Sequence, residues 1–117
     1  MALQYWSNRG ERRPRFIAFE NAYHGDTLGS VSVGGVARFH AMFRPLLFEV
    51  LRAPAPDGYR LPEGVTADGV CAYYLARLEE ILARDHARIA AVVIEPLIQC
   101  AAGMLATSPT AYTAGKP

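Results

Sequence analysis

A run of apolar residues at positions 89–94, IAAVVI, constrains the fold of this chain more than any other feature. Strands inside a parallel sheet are covered on both faces, so they are typically unbroken apolar runs without alternation. Before this run, apolar side chains recur every three or four residues from Val70 to Leu82, which predicts an amphipathic helix. A strand reached through a helix implies crossover connections. We therefore expect an α/β fold with a mainly parallel sheet and flanking helices.

Two further strands are predicted upstream. RFIAF at residues 15–19 is short, aromatic and bounded by Pro14 and the polar pair Glu20-Asn21. The second strand is predicted at residues 47–51, LFEVL, which are mostly apolar and are followed by Pro54 and Pro56. Polar side chains follow two strand ends, at residues 20–24 and at Glu95. Because ligands of open α/β sheets bind beyond the carboxyl ends of the strands, these two places are the candidate site.

Two short helices complete the outline. Residues 1–6, MALQYW, have the character of a helix end, with Gly10 as the stop signal. A short helix is predicted over residues 28–33, with either Asp26 or Thr27 as its N-cap.

Composition excludes several classes of protein. Of 117 residues, 51% are hydrophobic and 20% are charged, as in a globular domain. The net charge of +1 gives no electrostatic signature for nucleic acid or an anionic membrane. No apolar run is long enough to span a bilayer, and the first residues lack a secretory pattern, so we expect a cytoplasmic protein. Cys71 and Cys100 are expected to be free thiols.

The segment FENAYHGDTLGSVSVGG, residues 19–35, concentrates the side chains that could carry chemistry. His24 and Asp26 could begin a metal site, with His40, His86 or a cysteine completing it. Two ligands alone do not hold an ion, so we expect no metal.

Other motif-based chemistries also lack support. Gly29, Gly34 and Gly35 match neither the dinucleotide-binding nor the P-loop spacing, which favours tight turns and close packing as their role. No Gly-x-Ser-x-Gly motif supports a Ser-His-Asp arrangement. Tyr23 has a flat apolar face and a hydroxyl beside a strand end, so it is either a stacking platform or an edge of the core.

Four blocks in consistent order, FENAYHGDTLGSVSVG, APAPDGYR, LEEIL and IAAVVIEPLIQCAAGM, resemble the class III, pyridoxal-phosphate-dependent aminotransferases. MALQYW and APAP are similar to the biotin-biosynthetic branch of this family. The resemblance implies that residues 1–105 are part of the large domain of a fold-type-I transferase with pyridoxal 5'-phosphate as its cofactor.

The resemblance also implies roles for individual residues. The Tyr23 ring would lie against the cofactor ring, with its hydroxyl towards the substrate. His24 and Gly25 would shape the turn beneath the cofactor, Asp26 would lie beside the substrate, and Glu95 would lie near the cofactor. A hydrogen-bonded turn remains the competing interpretation for His24 and Asp26, as does ordering of the following loop for Glu95.

Two residues that transamination needs have no matching position in this sequence. Transamination requires a Schiff-base lysine and an aspartate that keeps the pyridine nitrogen protonated, and in the family both follow the Ile-Glu-Pro block. The only lysine, Lys116, lies in TAGKP, which matches no lysine motif. We therefore expect no catalytic lysine and no transaminase activity in the isolated polypeptide. Residues 106–117 are predicted to be a divergent, disordered tail, which a truncated or shifted reading frame would explain.

The intact enzymes of this branch would transfer an amino group from S-adenosylmethionine to 8-amino-7-oxononanoate as a cytoplasmic homodimer. The resemblance thus implies small-molecule partners, and neither nucleic acid nor membrane. The competing hypothesis is a non-catalytic fragment, or an accessory that binds a partner aminotransferase chain.

Overall fold

The computed structural model describes residues 1–107. The helices and strands are, in chain order, α1 (Ala2–Asn8), β1 (Arg15–Phe19), α2 (Leu28–Val33), α3 (Ala37–His40), β2 (Leu51–Ala53), α4 (Val70–Asp85), β3 (Ile89–Val93), β4 (Ile98–Gln99) and β5 (Leu105–Ala106). Short 3-10 segments occupy Ala41–Leu46, His86–Arg88 and Cys100–Ala102.

The central strand of the main sheet is β1, in a three-stranded parallel sheet of order β2-β1-β3. Ile17 stands opposite Leu51 of β2 on one side and Val92 of β3 on the other. Since all three strands run in the same direction, their carboxyl ends lie at one edge of the sheet. This arrangement confirms the predicted α/β fold and its parallel sheet.

The core lies between this sheet and α4. Ile17 and Phe19 of β1 are buried, and Leu78, Ile81 and Leu82 of α4 pack against their cluster. Burying a large aliphatic or aromatic side chain contributes roughly 1.5–3 kcal/mol. The contacts of α4 confirm that its apolar stripe is a core face.

The prediction of a strand at residues 47–51 is wrong. Pairing with β1 begins at Leu51 and continues to Ala53. Upstream, the backbone N–H of Phe48 donates to Ser32 Oγ (3.2 Å) instead of to a strand. The pairing ends before Pro54, where the carbonyl of Ala53 accepts from the N–H of Glu20 (2.9 Å).

The strand β3 forms where the apolar run predicts it, but the described residues cover it unevenly. Ile89 and Ala90 are buried, whereas Val92 and Ile94 are 41% and 47% exposed. The expected cover on both faces is therefore not supplied by residues 1–107.

A two-stranded antiparallel hairpin ends the described part of the chain. Ile98 of β4 pairs with Ala106 of β5, and the N–H of Thr107 donates to the carbonyl of Leu97 (2.9 Å). The first two residues of the predicted tail belong to this hairpin, and residues 108–117 lie outside the described residues.

Both ends of α2 are held by side chains. Thr27, and not Asp26, is the N-cap, because its Oγ1 accepts from the N–H of Ser30 (3.3 Å). At the other end, the Arg52 guanidinium donates to the carbonyls of residues 32–34 at 2.7–2.8 Å. A cation there also interacts favourably with the helix dipole.

The two glycines after α2 allow close packing, one of the two roles that the sequence favours for them. A Cβ on Gly35 would lie 2.5 Å from the backbone nitrogen of Asn21 and 2.7 Å from the carbonyl oxygen of Phe19. A Cβ on Gly34 would meet the ring of His40. Gly29 differs, since its Cβ would have no neighbour within 4 Å in the described chain.

Replacing Gly35 by alanine is expected to destabilise the fold by about 1–3 kcal/mol or more, because backbone must move to admit the methyl group. Gly29→Ala, inside α2, is the matched control and should be neutral or stabilising by up to about 1 kcal/mol. Urea denaturation gives both free energies of unfolding. Equal midpoints for the two variants would contradict the close-packing role of Gly35.

Candidate functional site

Two segments that leave the carboxyl edge of the sheet contact each other. We call residues 20–27, after β1, the Tyr23 loop, and residues 94–100, after β3, the Glu95 segment. Glu95 Oε2 accepts from the backbone N–H of Tyr23 (3.1 Å), and its Oε1 accepts from the N–H of Cys100 (3.0 Å). The candidate residues predicted at two strand ends are thus brought together at the edge where ligands of α/β sheets bind.

The shape of the Tyr23 loop depends on two residues with positive φ. Asn21 has a φ of 61°, a left-handed conformation that asparagine tolerates better than most residues. Gly25 has a φ of 110°, which L-amino acids rarely adopt, so the turn between His24 and Asp26 requires glycine. Between these two turns, Ala22 is fully buried and Tyr23 is half-buried.

The Tyr23 hydroxyl has a fixed partner. It donates to Asp26 Oδ2 at 2.7 Å. This hydrogen bond, with smaller effects of burial and of the carboxylate charge, raises the pKa of Tyr23 above its ordinary value of 10.0. Tyr23 is therefore protonated at neutral pH, and its ring is held at one end by Asp26 and at the other by the backbone contact with Glu95.

His24 is half-buried, and its Nε2 is buried with no hydrogen-bond partner among residues 1–107. Burial lowers the pKa of His24 below 6.5, the Glu95 charge opposes this shift, and the Arg52 charge adds to it. The imidazole is therefore neutral at pH 7. It can accept or donate at Nε2 depending on its tautomer.

Gln99 belongs to the same site, although the sequence analysis missed it. Its side chain is only 2% exposed, and Nε2 donates to the carbonyl of Glu20 (3.0 Å). Its Oε1 is buried without a partner in the described chain. Glutamine is mostly an exposed residue, so its presence in the sequence gives no signal that it is buried.

The other two histidines that could complete a metal site lie apart from His24. His86 is exposed at the end of α4, and His40 packs against Gly34. Residues 1–107 contain no group of three or more His, Cys, Asp or Glu side chains that could hold a metal ion. Cys71 and Cys100 are free thiols, as predicted.

The length and apolar character that a bilayer-spanning helix needs are not combined in any helix of the described residues.

Comparison with known proteins identifies the family. The model of the class III aminotransferases matches residues 1–115, so this chain belongs to that family. The Geobacter sulfurreducens protein named adenosylmethionine-8-amino-7-oxononanoate aminotransferase is 50% identical over 107 residues, which cover 90% of this chain and 24% of the relative. The chain thus spans about a quarter of the length of the curated relatives it matches.

Solved structures agree with this assignment. The adenosylmethionine-8-amino-7-oxononanoate aminotransferase of Methanocaldococcus jannaschii superposes with a TM-score of 0.77 at 30% identity, over 95% of this chain and 23% of that one. A PLP-bound amine transaminase from an uncultivated Pseudomonas species gives a TM-score of 0.84 at 32% identity, over 96% and 26%. The fold is therefore that of a segment of the large domain of the PLP-dependent transaminases.

Replacing Asp26 by alanine is expected to lower the pKa of Tyr23 towards 10.0, because the change removes both the acceptor of the hydroxyl hydrogen bond and the carboxylate charge. Spectrophotometric titration of the phenols measures the change, and Tyr23→Phe identifies which part of the signal belongs to Tyr23. An unchanged Tyr23 titration in D26A would show that Asp26 does not determine this pKa.

His24 is expected to make folding sensitive to acid. Because its pKa is lower in the folded than in the unfolded chain, the unfolded state binds the proton first as the pH falls. The free energy of unfolding should therefore decrease from about pH 7 downwards, until the folded-state pKa is passed. Urea denaturation across this range should show a weaker pH dependence in H24Q but not in H86Q, the exposed control. The same dependence in both variants would refute this assignment.

Proposed function

We propose that this segment forms one wall of an aminotransferase active site, against which pyridoxal 5'-phosphate and the amino acceptor are held. The observation that carries the proposal is the placement of Tyr23. Its ring stands at the carboxyl edge of the sheet, held through its backbone by Glu95 and through its hydroxyl by Asp26. Membership of the class III family supplies the chemical context.

The residues present fit this cofactor. A pyridoxal ring has a flat aromatic face and polar substituents. Tyr23 offers a face for stacking, and the neighbouring segments contain two buried polar atoms without partners among residues 1–107, His24 Nε2 and Gln99 Oε1. Buried polar atoms are nearly always hydrogen-bonded, so such atoms indicate where a ligand or further chain is accommodated.

When bound, pyridoxal phosphate supplies the electron sink for moving an amino group. Tyr23 would hold the ring plane by stacking. Its hydroxyl, which donates its only proton to Asp26, would accept a hydrogen bond from the substrate. The neutral imidazole of His24 would contact the site without adding a charge, and Gly25 would permit the turn that places it.

The substrates and assembly are part of the proposal. We propose the reaction of the biotin-biosynthetic branch, from S-adenosylmethionine to 8-amino-7-oxononanoate, in a cytoplasmic homodimer. The names of the Geobacter sulfurreducens and Methanocaldococcus jannaschii relatives, adenosylmethionine-8-amino-7-oxononanoate aminotransferase, support this choice.

We further propose that the 117-residue polypeptide does not transaminate by itself. Its only lysine, Lys116, stands in TAGKP and matches no lysine motif of the family. A second candidate function is binding to a partner aminotransferase chain. The exposed apolar side chains of Val92, Ile94 and Leu97 on and beside β3 favour it, because a partner would bury them.

Cofactor binding tests the proposed site. Tyr23→Ala should weaken the binding of pyridoxal phosphate about two- to tenfold, the range that aromatic stacking contributes. Tyr59→Ala is the control, since Tyr59 is 87% exposed. Equilibrium dialysis gives both affinities, and equal affinities would refute the platform role of Tyr23.

The wild-type 117-residue polypeptide, assayed with S-adenosylmethionine, 8-amino-7-oxononanoate and pyridoxal phosphate, should show no turnover. Turnover, or borohydride fixation of the cofactor on Lys116, would contradict the proposed inactivity. Stable co-purification with a full-length aminotransferase would support the second candidate function.

A further inference from the structure

We propose that Glu95 and Gln99 are positioning residues for Tyr23: together they fix the Tyr23 loop against the Glu95 segment and so set where the ring stands. The importance of that position for cofactor binding rests on the proposed function. The contacts themselves are properties of this chain.

Glu95 acts through both oxygens of its carboxylate. One accepts from the N–H of Tyr23, 72 residues away in sequence, and the other accepts from the N–H of Cys100, so a single side chain joins the Tyr23 loop to the Glu95 segment. Hydrogen bonds to an ionised acceptor are roughly twice as strong as neutral ones. A carboxylate has two acceptor oxygens, whereas the amide of glutamine has only one. The two hydrogen bonds together therefore require a carboxylate at position 95.

Gln99 holds the other end of the same loop. Its Nε2 donates to the carbonyl of Glu20, three residues before the Tyr23 N–H that Glu95 binds. The left-handed residue Asn21 lies between these two contacts. The turn that presents Tyr23 is thus held on both sides, and both contacts come from the Glu95 segment.

The backbone of the Glu95 segment is itself strained between the two positioning residues. Leu97 has a φ of 65°, which is unfavourable for a bulky side chain. Such a conformation persists only where the surroundings hold it. Glu95 and Gln99 each lie two residues from Leu97, and its carbonyl accepts from both the N–H and Oγ1 of Thr107. These contacts fix the Glu95 segment on which the position of Tyr23 depends.

Amide hydrogen exchange on the isotope-labelled 117-residue protein tests the proposal. In E95Q, the protection of the Tyr23 and Cys100 N–H groups should fall about ten- to a hundredfold at one or both positions, the range for a hydrogen bond to a charged acceptor. The N–H of Ile17, in the centre of β1, should keep its protection. Glu20→Gln removes the same charge from the Tyr23 loop and should leave both amides unchanged.

Gln99→Met separates the effect of Gln99 from that of Glu95. It should lower the protection of the Tyr23 N–H while that of Cys100, which Glu95 still binds, is retained. Unchanged protection of both amides in E95Q, or an equal loss across the whole of β1, would overturn the positioning role.

If E95Q does not fold, Glu95→Asp gives the answer, because the shorter side chain keeps the carboxylate but cannot reach both N–H groups at once. In E95D the protection of the Tyr23 and Cys100 N–H groups should fall at one or both positions, while that of Ile17 is kept. Unchanged protection of both amides in E95D would overturn the proposal.

Affinity for pyridoxal phosphate separates this inference from the proposed function. E95Q should weaken binding in the wild-type background but not in Y23A, because Glu95 acts through Tyr23. If E95Q lowers amide protection as expected but the wild-type protein binds no pyridoxal phosphate, the proposed function is refuted and the positioning role is retained. Equal weakening by E95Q in both backgrounds would show that Glu95 acts independently of Tyr23, and would overturn the positioning role.

Discussion

The parallel pairing of β1 with a strand on each side is the constraint on which the rest of the structure depends. It brings the carboxyl ends of β1 and β3 side by side, so that Tyr23 and Glu95 meet although they lie 72 residues apart in sequence. The helix α4 covers the buried face of β1 and carries the chain towards β3. Without this pairing, neither Glu95 nor Gln99 would reach the Tyr23 loop.

Local sequence signals predict which helices and strands form better than they predict the residues at which these begin and end. The stripe of α4 predicts a helix well because burial of one face imposes the helical period. The apolar run also predicts β3, although Val92 is 41% exposed in the described residues. The strand near residue 50 was placed too early because an apolar run does not show which residues find a partner. The start of β2 is determined by its register with β1, in which Leu51 stands opposite Ile17.

The position of the candidate residues in the fold was predictable where they follow a strand end. Tyr23, Asp26 and Glu95 follow strand ends, and the family resemblance singles them out. Gln99 was not predictable, because its role depends on a carbonyl 79 residues away that no local pattern reveals. The structure also favours the local interpretation of Glu95 over a direct contact with a cofactor, since both of its oxygens accept from backbone N–H groups.

The left-handed Leu97 has a consequence for how this segment responds to engineering. Glycine at this position would adopt the same positive φ without the steric cost that leucine has there. It is therefore a natural choice for a thermostability screen. The same change would let the backbone between Glu95 and Gln99 sample many more conformations. A variant selected for a higher melting temperature could therefore hold its aromatic ring less firmly, because stability and rigidity would be optimised by different residues at this one position.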